Sequence, residues 1–177
     1  EEKQALDYWF GSAIGHEYAA ELRELSALSW ADEEEAIGAQ VIFPKGYEQI
    51  VKLLSKDLDI ALDQIVQEIH IEDSGVRVVT NQGEYQADRC VVTLPLGVLK
   101  KGAILFDPPL PDAKQQAIKH LGMGLLNKLY LRFPSVFWEQ SAGWINYVAP
   151  EKGEWLEWLN LDHYFGVPVL LGFNAGD

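Results

Sequence analysis

The chain has 177 residues, 48% hydrophobic and 23% charged, a balance that excludes a disordered segment and allows one domain or two small lobes. Its 27 acidic residues outnumber 14 basic ones for a net charge of −13; phosphate binding needs a concentration of Lys and Arg that is missing, so nucleic acid is excluded as a partner. The single cysteine, Cys90, rules out an internal disulfide and leans towards a reducing, cytoplasmic setting, and no apolar stretch approaches the ~20 residues of a membrane span.

The chain opens Glu1-Glu2-Lys3-Gln4 with neither a methionine nor a signal peptide and closes just after an apolar run, so it reads as a piece of a longer protein. Leu6, Trp9, Phe10, Ala13, Tyr18, Leu22 and Leu25 recur at helical spacing across 3–25, with breaks expected near Gly11 and Gly15. His16-Glu17 lacks the second histidine of a zinc helix. Trp30 precedes the acidic run Asp32-Glu33-Glu34-Glu35, which reads as a solvated loop, a helix start or a patch for a cation. After Val41-Ile42-Phe43, the turn residues Pro44 and Gly46 introduce a helix whose Tyr47, Ile50, Val51 and Leu54 form one inward face. Ile60-Ala61-Leu62 is expected to begin a strand.

From Ile65 to Ala87 the period becomes two. Asp73-Ser74-Gly75 and Asn81-Gln82-Gly83 are turns, so the segment predicts a three-stranded antiparallel meander. Val66 falls out of phase, either as a strand end tucked under a neighbour or because its face meets a ligand. Cys90-Val91-Val92-Thr93-Leu94 then predicts a central strand buried on both faces, with Cys90 an inert buried thiol, and Pro95 ends it before a tight turn at Gly97.

Phe106-Asp107-Pro108-Pro109-Leu110-Pro111 is extended, and Asp112 is expected to cap a short helix with Ala113, Ala117, Ile118 and Leu121 inward. Gly122-x-Gly124-x-x-Asn127 is not a dinucleotide turn, because it follows a helix and precedes a strand. Residues 125–133 alternate as a strand, with Asn127, Leu129, Leu131 and Phe133 on one face and Leu126, Lys128, Tyr130 and Arg132 on the other. Further strands are expected at 143–148, 154–161 and 168–173. Trp138, Trp144, Trp155 and Trp158 fit either aromatic core packing or the wall of a pocket.

These residues by themselves name no reaction. There is no Gly-x-Ser-x-Gly elbow, cysteine pair or phosphate loop, and His16, His70, His120 and His163 are scattered. The order of segments nevertheless resembles the flavin-containing amine oxidases, in their polyamine oxidase and lysine-specific histone demethylase branch. The likeness is carried by Phe43-Pro44-Lys45-Gly46-Tyr47, Ile65-Val66-Gln67-Glu68-Ile69, Thr93-Leu94-Pro95-Leu96-Gly97-Val98-Leu99, Phe106-x-Pro108-Pro109-Leu110-Pro111, and Gly122-x-Gly124-x-x-Asn127-Lys128 followed by Phe137-Trp138.

That resemblance implies an α+β (mixed α/β) chain within a two-domain FAD-dependent fold. Residues 1–39 and 125–177 would belong to a substrate-binding domain, and 40–124 to an FAD-binding domain. It implies that Val66 contacts the adenine end of FAD and that Thr93, Leu94 and Pro95 lie beside the flavin. Lys128 would hold a water near the flavin and assist its reaction with oxygen. The implied reaction is hydride transfer from the carbon beside a neutral amine, giving an imine that water hydrolyses, with O2 reduced to H2O2. The partners are thus a small-molecule amine and O2. The family's N-terminal Gly-x-Gly-x-x-Gly unit and its C-terminal FAD segment are absent from this chain, so it is expected to hold FAD weakly or not at all and not to turn over alone. Two other readings compete: a desaturase-like flavin oxidoreductase, and a non-catalytic acidic module for basic ligands. Asn127-Lys128 favours amine oxidation over the first.

Overall fold

The computed structural model describes residues 2–29, 37–39, 41–150 and 155–176; Trp30 and the acidic run 32–35 lie outside them. The chain is mixed α/β and divides into two compact units, Lys45–Met123 and Glu1–Pro44 with Gly124–Asp177.

The Lys45–Met123 unit contains α2 (Glu48–Leu54), β1 (Val66–Glu72), β2 (Gly75–Thr80), β3 (Gly83–Ala87), α3 (Leu96–Lys101), β4 (Leu105–Asp107) and α4 (Asp112–His120). The expected meander forms, and β4 joins it in parallel to give the order β3-β2-β1-β4. Val66 pairs with Thr80, but Glu68 pairs with Val79, so Gln67 is an extra residue on β1. A bulge of this kind rotates the strand by one side chain, which gives the phase break at Val66 a local origin. Lys100 Nζ donates to the carbonyls of Ile118, Lys119 and Leu121 at 3.0, 3.1 and 2.7 Å, tying α3 to the C-terminal end of α4, where unpaired carbonyls favour a cation.

Several expectations fail here, for one shared reason. Cys90–Leu94 has no regular structure and joins no strand, Val91 is 86% exposed, and Cys90 is exposed, not buried. An apolar run becomes a buried strand only against a neighbouring edge, and among the described residues β4 takes the place beside β1. Pro95 is followed by helix α3 in place of a tight turn. Ile60-Ala61-Leu62 likewise forms no strand, and the face of α2 made by Tyr47, Val51 and Leu54 is exposed. Pro111, not Asp112, occupies the N-cap of α4; Asp112 sits in the first turn, where its charge suits the helix dipole, and Ala113, Ala117 and Leu121 are exposed.

In the other unit, α1 (Glu2–Trp9) runs into a π-helix, Phe10–His16, so the break foreseen near Gly11 and Gly15 takes the form of a widened turn. A short 3₁₀ helix, Leu22–Glu24, follows. Then come β5 (Leu126–Arg132), β6 (Trp144–Asn146), β7 (Glu157–Asn160), α5 (Leu161–Phe165) and β8 (Val169–Ala175). They form an antiparallel sheet in the order β5-β8-β7-β6. All four expected strands of this region are present, and β8 carries buried Leu171 and Gly172. Gly124 serves close approach, not phosphate: a Cβ there would stand 1.6 Å from the Ala19 carbonyl oxygen.

The sheet is locked by Asn160, which has no solvent exposure. Its Oδ1 accepts from Trp138 Nε1 at 2.9 Å and from the Asp162 amide at 3.1 Å. Its Nδ2 donates to the Ala142 carbonyl at 2.8 Å and reaches those of Glu139 and Gln140 at 3.3 and 3.5 Å. One side chain thus caps α5 and fixes the loop between β5 and β6. Within that loop the Ser141 hydroxyl and then its amide donate to Glu139, holding the carboxyl below its ordinary range.

Asn160→Ala strips the partly buried Trp138 indole, the Asp162 amide and the Ala142 carbonyl of their partner. It should cost about 3 kcal/mol or more, read as a lowered urea midpoint at unchanged slope. A second expectation concerns His70, whose side chain is 14% exposed, with Nε2 2.7 Å from Glu68 and Nδ1 3.2 Å from Asp107. Both nitrogens can donate only in the imidazolium form, so Glu68 first, and then Asp107, raise its pKa, against desolvation and the Arg77 charge. The folded pKa exceeds the unfolded one. The stabilisation is therefore complete below about 6.5, the unfolded value, and is lost as pH climbs through the folded value. Denaturation midpoints measured from pH 5.5 to 8.5 should fall over that interval, and His70→Gln should flatten the fall.

Candidate functional site

The face of the sheet that carries Lys128 is built by register. Lys128 stands opposite Phe173, Phe173 opposite Glu157, and Glu157 opposite Asn146, so four side chains form one row across four strands. The next row holds Tyr130, Leu171, Leu159 and Trp144. Period two puts both rows on the same face, as the alternation of 125–133 predicts.

Lys128 lies on the edge strand β5 with its Nζ 5.6 Å from the Phe173 ring centroid. Trp144 packs obliquely on the same ring, with centroids 5.6 Å apart. The π-helix contributes His16, whose Nδ1 lies 2.8 Å from Glu157 Oε2 and whose side chain is only 9% exposed. Of these groups, His16, Glu157, Phe173 and Trp144 line a cavity of about 360 Å³ together with Ser12, Ala13, Glu17 and Leu126, and Lys128 stands beside it across the Phe173 ring, outside the lining. Trp144 also lines a second cavity, of about 400 Å³, with Val41, Ile42, Pro44, Leu159, Tyr164 and Phe165. The arrangement combines a cation on an aromatic face with carboxylates beside aromatic walls, which suits a ligand that has both an apolar body and a charge. Among the described residues, no group of three or more His, Cys, Asp or Glu could hold a metal, and no helix is long and apolar enough to cross a membrane.

The tryptophans divide between the two roles foreseen for them. Trp144 is half exposed and walls both cavities, whereas Trp138 joins Phe133 and Phe137 in an edge-to-face cluster with centroids 5.0–5.4 Å apart. Trp158 covers Gly172, where a Cβ would meet the indole at 2.8 Å.

The remaining predicted site residues lie in the other unit. Val66 sits at the bulge of β1, opposite Thr80, and Thr93, Leu94 and Pro95 lead into α3. Thr93 and Pro95 are exposed and Leu94 is half-buried. Three residues of the Lys128 face have no signal in the sequence. Phe173 meets Lys128 only once the β5–β8 pairing is known. His16 and Glu157 are 141 positions apart.

Comparison with known proteins gives a consistent result. A family model described as flavin containing amine oxidoreductase matches residues 2–177. Polyamine oxidase 4 of Oryza sativa subsp. japonica is 39% identical over 172 residues, covering 97% of this chain and 34% of that protein. Polyamine oxidase 2 of Arabidopsis thaliana is 37% identical over 169 residues, with 95% and 34% covered. Lysine-specific histone demethylase 1 homolog 3 of the same plant is 37% identical over 184 residues, with 95% and 11% covered. The chain therefore spans about a third or less of the length of these relatives. A solved structure of a putrescine oxidase double mutant redesigned in cofactor binding shares the fold, with a TM-score of 0.60 at 22% identity over 75% of this chain and 30% of that one.

Gly172→Val tests the packing beneath the site. It should push the Trp158 indole out of its seat, change the near-UV circular dichroism and lower stability by about 1–3 kcal/mol.

Proposed function

Because the chain belongs to the flavin-containing amine oxidoreductases, we propose that the protein carrying it is an FAD-dependent amine oxidase that converts a small-molecule amine to an imine and reduces O2 to H2O2. The match along residues 2–177 carries this reading. In it, 40–124 contributes to the FAD-binding domain, and 1–39 with 125–177 to the substrate-binding domain.

When bound, the flavin supplies a two-electron acceptor for the amine and returns those electrons to oxygen. The residues present suit one end of such a cofactor. No strand of the described residues pairs with Thr93–Pro95, so its backbone is open to a planar ring. Val66 at the bulge would serve the adenine end. Among the described residues no glycine-rich turn offers the pyrophosphate free amides at a helix start after a strand: Gly122-x-Gly124 follows α4, Gly124 is taken up by Ala19, and the start of α5 after β7 is capped by Asn160.

Lys128 is the residue assigned to chemistry. No carboxylate of the described residues pairs with it, so its ammonium keeps its positive charge uncompensated by direct contact. It would hold a water at Nζ and favour negative charge developing on oxygen. The exposed apolar surfaces of the Lys45–Met123 unit, at Leu53, Leu54, Val91 and Leu105, are those that the rest of the protein would cover.

Calorimetric titration with FAD separates chain from protein: the form with the relatives' full length should hold flavin, and residues 1–177 alone should bind it weakly or not at all and oxidise no amine. In the full-length form, Lys128→Met should slow reoxidation of the reduced flavin by O2 tenfold or more while leaving its reduction by amine near the wild-type rate. Loss of neither flavin binding nor reoxidation in these comparisons would sink the assignment.

A further inference from the structure

The aromatic partner of Lys128 has a role that no motif assigns. Phe173 faces Lys128 directly across the β5–β8 ladder, and the Lys128 Nζ stands 5.6 Å from its ring. On the other side of the ring the register places Glu157. The ring therefore stands between an ammonium and a carboxylate in one cross-sheet row. Glu157 is turned away to His16 at 2.8 Å, and Trp144 backs the Phe173 ring.

We propose that Phe173 is a positioning residue for Lys128: its ring seats the ammonium and keeps Glu157 from neutralising it. The proposal rests on the reading of Lys128 as the group that assists oxygen. A lysine on an exposed edge strand has many rotamers of similar energy. The ring quadrupole attracts the charged end without supplying a counter-charge, so it selects a rotamer and leaves the positive field intact. A carboxylate neighbour would select a rotamer equally well but would cancel the field. At an exposed site the attraction is worth about a two- to fivefold bias towards the seated rotamer.

Phe173→Leu and Phe173→Met keep an apolar side chain of similar size and remove the ring, while Phe173→Tyr keeps the ring. In the full-length flavoprotein, the first two should slow reoxidation by O2, measured on the photoreduced enzyme without amine, about two- to fivefold, and the third should retain the wild-type rate. A readout independent of turnover is the carbon-13 methyl resonance of reductively dimethylated Lys128, identified by its loss in Lys128→Arg. Ring current should shift it upfield in the wild type and in Phe173→Tyr, and the shift should vanish in Phe173→Leu and Phe173→Met. Wild-type reoxidation in those two variants overturns the proposal, whether or not the resonance moves; so does a resonance that ignores the ring. Wild-type reoxidation in Lys128→Met instead removes the oxygen role of Lys128 itself, a failure of the function reading that is recognised by a ring-current shift still in place.

Discussion

A fully buried asparagine whose two ends are both engaged sets the geometry of the sheet that carries the candidate site. An apolar residue in place of Asn160 would fill the volume but could not replace the bonds to Trp138, to the start of α5 and to the loop 139–142. Buried amides of this kind are expensive unless every polar atom is matched, and here donors and acceptors are both used. The consequence is positional. The loop entering β6 is fixed from within, β6 is therefore fixed against β7, and Trp144 stands where it can pack on Phe173.

From that frame the site follows by period and register, not by any local motif. A sheet row brings together residues that the chain separates widely, and the row Asn146–Glu157–Phe173–Lys128 draws one residue from each of four strands. Its electrostatics depend on where the two charges go. Glu157 is satisfied by His16 from the π-helix, while Lys128 is left with an aromatic face. Had the two charges paired, the sheet would hold a neutral surface salt bridge worth little to stability and useless to chemistry.

What could be read from sequence tracks which forces are local. The meander was legible because Asp73-Ser74-Gly75 and Asn81-Gln82-Gly83 fix register by turn chemistry alone, and the strands of the second sheet because alternation and aromatic content persist over whole segments. Lys128 could be found through the pattern of segments around it. Its companions could not: Phe173, Glu157 and His16 are ordinary residues until pairing is known. The failures at 60–62, at 90–94 and on α2 have one origin, since each was a judgement of burial, and burial belongs to a residue and its partner together.

Those failures also carry physical information. Val91 and Val92 are exposed β-branched residues with no ladder, beside a thiol that composition alone would bury. Water does not reward such a run, and each unpaired amide in it keeps a full capacity to bond. The same segment leads through Pro95 into α3, which Lys100 ties to α4, so it is held firmly at one end while its apolar surface is open. A segment that is anchored, unpaired and apolar is suited to a partner surface, either a sheet edge or a flat ring. The local chemistry of 90–95 is thus compatible with the contact proposed for Thr93, Leu94 and Pro95, since among the described residues no strand pairs with this run.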